Sequence, residues 1–138
     1  MSHDSKYASP EQLRYAAVLA AGIRAGFALL VLTFLIYMLG ILKPSIPVEE
    51  LPRYWGMPLA EFVRATGTST GWGWVARIGQ GDVLNLTGVV VLAGTPALSC
   101  LAVLPTFARR GEIALLAIAS LQIVVVIVAA SNVLAALK

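Results

Sequence analysis

Three stretches without a single charged residue dominate the chain: Ala25–Leu42, Val83–Phe107 and Ile113–Leu137, of 18, 25 and 25 residues. A hydrocarbon layer of about 30 Å is crossed by a helix of roughly 20 apolar residues. No other spanning geometry is open to a segment that must satisfy its own backbone hydrogen bonds in lipid. The sequence therefore predicts an all-α integral membrane protein with three transmembrane helices. The intervening outer loop is expected to carry short interfacial helices. Composition agrees: 59% of the 138 residues are hydrophobic and 12% are charged, against about 25% charged in soluble domains. A soluble enzyme domain, a disordered tail and a disulfide scaffold are excluded on this ground.

The expected layout is one membrane domain over 1–138. It has an N-terminal tail and helix extension (1–24), span 1 (25–42), an outer loop (43–82), span 2 (83–107), an inner hinge (108–112) and span 3 (113–137). Ser9-Pro10-Glu11-Gln12 supplies a capping hydroxyl, a proline at the first helical position and a glutamine at the third. A helix starting there and running to Leu42 would be about 50 Å long, which places Arg14 and Arg24 in or beyond the headgroup layer. Snorkelling to phosphates is the expected behaviour of Arg24. The apolar run is too long for the h-region of a cleaved signal peptide.

Orientation follows from the hinge Ala108-Arg109-Arg110-Gly111-Glu112, whose arginines should remain in the cytoplasm. The N-terminus is then inside and Lys138 outside. The count is balanced: Lys6, Arg14, Arg24, Arg109 and Arg110 inside against Lys43, Arg53, Arg64, Arg77 and Lys138 outside. The short hinge decides, because longer loops translocate largely regardless of charge. In a bacterium this means the inner (cytoplasmic) membrane.

The outer loop differs from the rest of the chain. Pro44, Pro47, Pro52 and Pro58 favour extended backbone. In PLAEFVRATG, Leu59, Phe62 and Val63 share a helical face and Gly67 stops the run. Trp72, Val75 and Ile78 then recur every third residue, which suits a short interfacial helix. Trp55, Trp72 and Trp74 all fall in this loop. They form either an aromatic collar at headgroup depth or a cap docked on a partner.

Inside the spans, polar and small residues mark packing faces. Gly88, Thr95, Ser99 and Ala102 make a stripe in span 2, with Pro96 expected to kink it and Pro105 to weaken its inner end. Gln122 lies near the middle of span 3, and Ser131-Asn132 near its outer end. Gly22 and Gly26 form a small-xxx-small patch. Gly22, Gly26, Trp55, Trp72, Trp74, Thr95, Ser99 and Gln122 are the candidate contacts to a partner or to lipid. Asp82 is expected to cap span 2, and Cys100 to be a buried apolar filler.

Gly81-Asp82, Thr95-Pro96 and Arg109-Arg110-Gly111-Glu112 resemble a family of small three-span bacterial membrane proteins. Its members are often encoded beside permeases of the TauE/SafE (sulfite exporter) type. The likeness covers the last 57 residues. It departs at Ser99, where the family tends to carry a basic residue, and the tryptophan loop has no counterpart in it. The resemblance implies an accessory role beside a larger membrane protein and no catalytic residues.

Chemistry is sparse. The one histidine, His3, stands in the polar tail, so no axial haem ligand is available within a span. No zinc spacing, phosphate loop or dinucleotide fingerprint is present. The expectation is a non-catalytic accessory subunit without cofactor or metal, partnered by membrane lipids and another integral membrane protein and not by nucleic acid. The alternative is a small anchor subunit of a respiratory or photosynthetic complex, with the tryptophans lining a quinone or lipid pocket.

Overall fold

The computed structural model describes residues 8–133; His3, Lys6, Lys138 and the last residues of the third apolar run lie outside the described residues. Among the described residues six α-helices follow one another: α1 Pro10–Met38, α2 Leu51–Tyr54, α3 Leu59–Thr66, α4 Gly81–Leu84, α5 Leu86–Arg110 and α6 Ile113–Ala130. Two 3₁₀ turns, Val48–Glu50 and Gly71–Arg77, lie in the outer loop, and no strand occurs among the described residues. Three helical stretches are long and apolar enough to cross a membrane: Pro10–Met38, Gly81–Arg110 and Ile113–Ala130. The protein is a multi-pass membrane protein.

The start of α1 is the capping box read from the sequence. The Ser9 amide donates to Gln12 Oε1 at 3.0 Å, and the Gln12 amide donates to Ser9 Oγ at 3.3 Å. Its other end differs from expectation, because α1 stops at Met38 instead of Leu42. Gly40 adopts φ +65°, and the Ile41 amide reaches back to the Ile36 carbonyl at 3.2 Å. That is the left-handed turn with a six-to-one bond that closes a helix, and glycine takes it without a Cβ clash. The same device ends α5, where Gly111 has φ +70° and Glu112 bonds back to the Phe107 carbonyl.

The chain forms two compact units. One comprises residues up to Ala25 together with those from Val91 on, and the other comprises Gly26–Val90. In the first unit, α1 and α5 pair antiparallel: Glu11 meets Arg110 and Gly22 meets Thr95. In the second unit the pairing is again antiparallel. Gly88 lies so close to Leu30 that an added Cβ would stand 2.9 Å from its Cα, and the Thr33 hydroxyl reaches Asn85 Oδ1 at 2.9 Å. A glycine at such a point lets two helix backbones approach, which is how membrane helices gain van der Waals contact.

The loop of the second unit is tied to the start of α4. The Ser45 amide donates to Asp82 Oδ1 at 2.8 Å, the Ser45 hydroxyl bonds Gln80 Oε1, and the Gly81 amide donates to the Lys43 carbonyl at 3.1 Å. Asp82 meets an open amide of the first turn of α4, that of Val83, as expected of a capping acid, but from inside the helix. Gln80 holds the cap position, and the Asp82 carboxylate joins loop to helix through the Ser45 and Val83 amides. The expected loop helices are present as α3, ended by Gly67, and as the 3₁₀ turn over Gly71–Arg77. Helix α5 continues through both Pro96 and Pro105.

Candidate functional site

The first unit has a small, tightly packed polar seam. Thr95 and Ser99 are 1% and 0% exposed. Each hydroxyl donates to the carbonyl four residues back, Thr95 to Val91 at 2.7 Å and Ser99 to Thr95 at 2.9 Å. Their hydrogen-bonding capacity is thus met within α5, and the small side chains admit α1: a Cβ on Gly22 would fall 2.4 Å from Thr95 Cγ2. The expectation that Gly22, Thr95 and Ser99 contact a partner or lipid is corrected. They face the chain's own interior because two small residues in register close a helix pair. Gly26 is likewise buried.

Beside this seam lies a cleft of about 460 Å³. Its walls are apolar, with Val103 and Phe107 from α5 and Leu115, Ile118 and Ala119 from α6, and Cys100 opens on it. Gln122, an exposed residue, lines it too. At its polar end Arg110 Nη2 stands 2.7 Å from Glu11 Oε1; the carboxylate side chain is 7% exposed and the guanidinium side chain 50%. Glu11, in the first turn of α1 at headgroup level, is held below the ordinary carboxylate range. The main cause is its own backbone amide; the Ser9 hydroxyl comes next, burial opposes the shift, and the Arg110 charge adds to it. The volume falls in the range of small-molecule sites. Among the described residues no three histidine, cysteine or acidic side chains gather to hold a metal.

The most consequential side chain is Arg24. It stands fourteen residues from each end of α1, at the middle of a 29-residue helix. Such a helix is about 43 Å long; a 30 Å hydrocarbon core centred on it would leave some 6–7 Å beyond each edge and put Arg24 near the midplane. Its neighbours support that depth: Gly22, two residues away, touches Thr95, which is fifteen residues along α5 from Arg110. This place at the middle of α1 differs from the inner-end position that the uncharged run gives Arg24. The helix begins level with Arg110, so the spanning part starts a dozen residues earlier than the uncharged run. In that placement a lean back by one turn, about 5.4 Å, still leaves the guanidinium inside the hydrocarbon. Arg14 stands only three residues from Glu11 and meets the headgroups.

Arg24 is exposed on the outside of α1 and has no hydrogen bond or ion pair among the described residues. Ile23 and Phe27 beside it are 48% and 61% exposed. A charged residue at a span's centre costs about 2.5–3.5 kcal/mol even on the lenient insertion scale. Such residues ordinarily face protein or water.

In the second unit, Trp72 and Trp74 stack on one another with ring centroids 6.1 Å apart, and Tyr54 meets Phe62 edge-on at 5.8 Å. Trp55 is 82% exposed. The tryptophans thus form a stacked pair and a separate, largely exposed ring. Arg77 Nη2 donates to the Gly67 carbonyl at 2.6 Å, which fixes the turn beneath the pair. Sequence reasoning missed the Glu11–Arg110 pair and the Thr33–Asn85 bond. The first was signalled by opposite charges at the same-side ends of two predicted helices, the second by an asparagine just inside an apolar run.

No protein-family model matches the sequence, and no solved structure matches it. The chain is similar to a protein of Archaeoglobus fulgidus described as "Uncharacterized protein", with 32% identity over 126 residues that cover 91% of this chain and 90% of that protein. The chain belongs to the same family as that archaeal protein.

Proposed function

We propose that this member of the family is a non-catalytic accessory subunit of a larger complex in the cytoplasmic membrane, its partner a transporter or permease. One observation carries the reading: an exposed arginine at the centre of α1 with no hydrogen bond or ion pair among the described residues. A subunit that worked alone in lipid would bear that cost with nothing in return, whereas a neighbouring membrane protein offsets it. The chain's own small-residue seam closes α1 on α5, so the outward face of α1 remains for a second polypeptide. The resemblance to proteins encoded beside TauE/SafE-type permeases supports a permease as that neighbour. The positive hinge Arg109-Arg110 supports a cytoplasmic N-terminus and an outer C-terminus.

Gentle extraction from the native membrane, followed by mass measurement of the intact particle, tests the proposal. A stoichiometric second membrane polypeptide is the expected result. A particle made of this chain and lipid alone would overturn it.

A further inference from the structure

We infer that Arg24 pairs with an ionised carboxylate carried near mid-depth by a membrane helix of a different polypeptide. This inference rests on the accessory-subunit reading and specifies the chemistry of the partner. The argument begins with what could satisfy a guanidinium at that depth. Lipid phosphates lie at the bilayer edges, and Arg24 is equidistant from both ends of its helix, so neither leaflet is within a side chain's reach. The backbone carbonyls around it are engaged by the helix itself. A fork of N–H donors in a medium without water calls for a fixed acceptor, and a carboxylate matches it with two parallel charge-assisted bonds.

A second copy of this chain does not provide one. Its seven acidic residues are Asp4, Glu11, Glu49, Glu50, Glu61, Asp82 and Glu112. None lies in the central part of α1, of α5 or of α6, and neither a parallel nor an antiparallel copy brings one to mid-depth. The acid must come from another sequence. The surface beside Arg24 suits close approach: Ala17, Ala21 and Ala28 share its side of α1 at spacings of three and four and are all exposed. With methyl side chains around it, the partner helix can come near enough for a direct pair, while Phe27 and Val31, 61% and 40% exposed, give apolar contact one to two turns outward.

The test uses the full chain in its native membrane with a photo-crosslinking amino acid in place of Ala28, one turn from Arg24. After illumination the crosslinked peptide is sequenced by mass spectrometry, and the yield is compared among wild type, Arg24→Lys and Arg24→Leu in that background. The expected peptide comes from a membrane-spanning segment of another protein that contains Asp or Glu. Arg24→Leu should cut the crosslinked yield at least tenfold, and Arg24→Lys, which keeps the charge and loses the fork, should give an intermediate loss. Because Arg24 faces outward, Arg24→Leu leaves the chain's own packing intact, checked by unchanged helicity. A peptide from a second copy, a partner segment without an acid, or undiminished yield from Arg24→Leu would overturn the carboxylate pairing; where another polypeptide still co-purifies, the accessory role stands. A wild-type chain that crosslinks to lipid only and is isolated alone would overturn both.

Discussion

Replacing Gly22 by alanine places a methyl group 2.4 Å from Thr95 Cγ2, 2.6 Å from Thr95 Oγ1 and 3.0 Å from Thr95 Cβ. Ordinary contact begins near 3.4 Å, so the two groups must separate by about an ångström. Thr95 has little freedom to yield. It is 1% exposed, and turning its χ1 breaks the 2.7 Å bond to the Val91 carbonyl. Overpacking of this kind costs about 1–3 kcal/mol, partly masked by alanine's higher helix propensity, worth up to about 1 kcal/mol. A double-mutant cycle removes the mask, because propensity appears in both arms and cancels. Gly22→Ala, Thr95→Ala and the double variant should be unfolded reversibly by SDS in mixed micelles and followed by far-ultraviolet circular dichroism. A favourable coupling of about 1–3 kcal/mol is predicted, with the double variant more stable than the two single losses imply. Additivity to within about 0.5 kcal/mol, the behaviour of residues that do not touch, would refute the packing of α1 on α5 at this point.

Other consequences are simpler to read. Ser9→Ala should cost about 1 kcal/mol by freeing the Gln12 amide at the start of α1, measured in the same SDS titration; no loss would refute the capping box. Gly111→Ala should cost about 1–2 kcal/mol through its left-handed backbone alone, since nothing lies within 4 Å of the added methyl. Gly56→Ala, equally uncrowded and without a positive φ, should be close to neutral, so equal effects at the two glycines would contradict the account of how α5 ends. Glu112→Cys, in a Cys100→Ala background, should react with a membrane-impermeant maleimide only after the membrane is opened, as a cytoplasmic hinge requires; labelling of sealed cells would reverse the orientation.

Much of the architecture was legible because lipid leaves the chain few options. Uncharged runs of membrane length become helices, Ser9 with Gln12 marks a start, and Gly67 marks a stop. What could not be read was depth. The uncharged run Ala25–Leu42 sets the first span by charge, but the Gly40 turn ends α1 early and the Glu11–Arg110 pair fixes its start, which moves Arg24 from the end of the span to the middle of its helix. Register between helices is a tertiary property: nothing in the separate motifs around Gly22 and Thr95 says that one closes on the other. Asp82 illustrates the same limit. An acidic residue at a helix start reads as a cap, and its oxygen does meet the Val83 amide, but it also accepts from Ser45, 37 residues earlier in the chain. The tryptophans were legible as a cluster in sequence, and the 3₁₀ turn sorts them into a stacked pair and a separate, largely exposed ring.

The central claim, that this chain works as one subunit of a larger membrane assembly, is tested most directly by native mass spectrometry of the wild-type protein released from its own membrane in lipid nanodiscs. The account predicts a particle in which the 14.6 kDa chain is bound at fixed stoichiometry to a second, different membrane polypeptide. A particle whose protein mass is that of this chain alone, or a whole multiple of it, would contradict the claim.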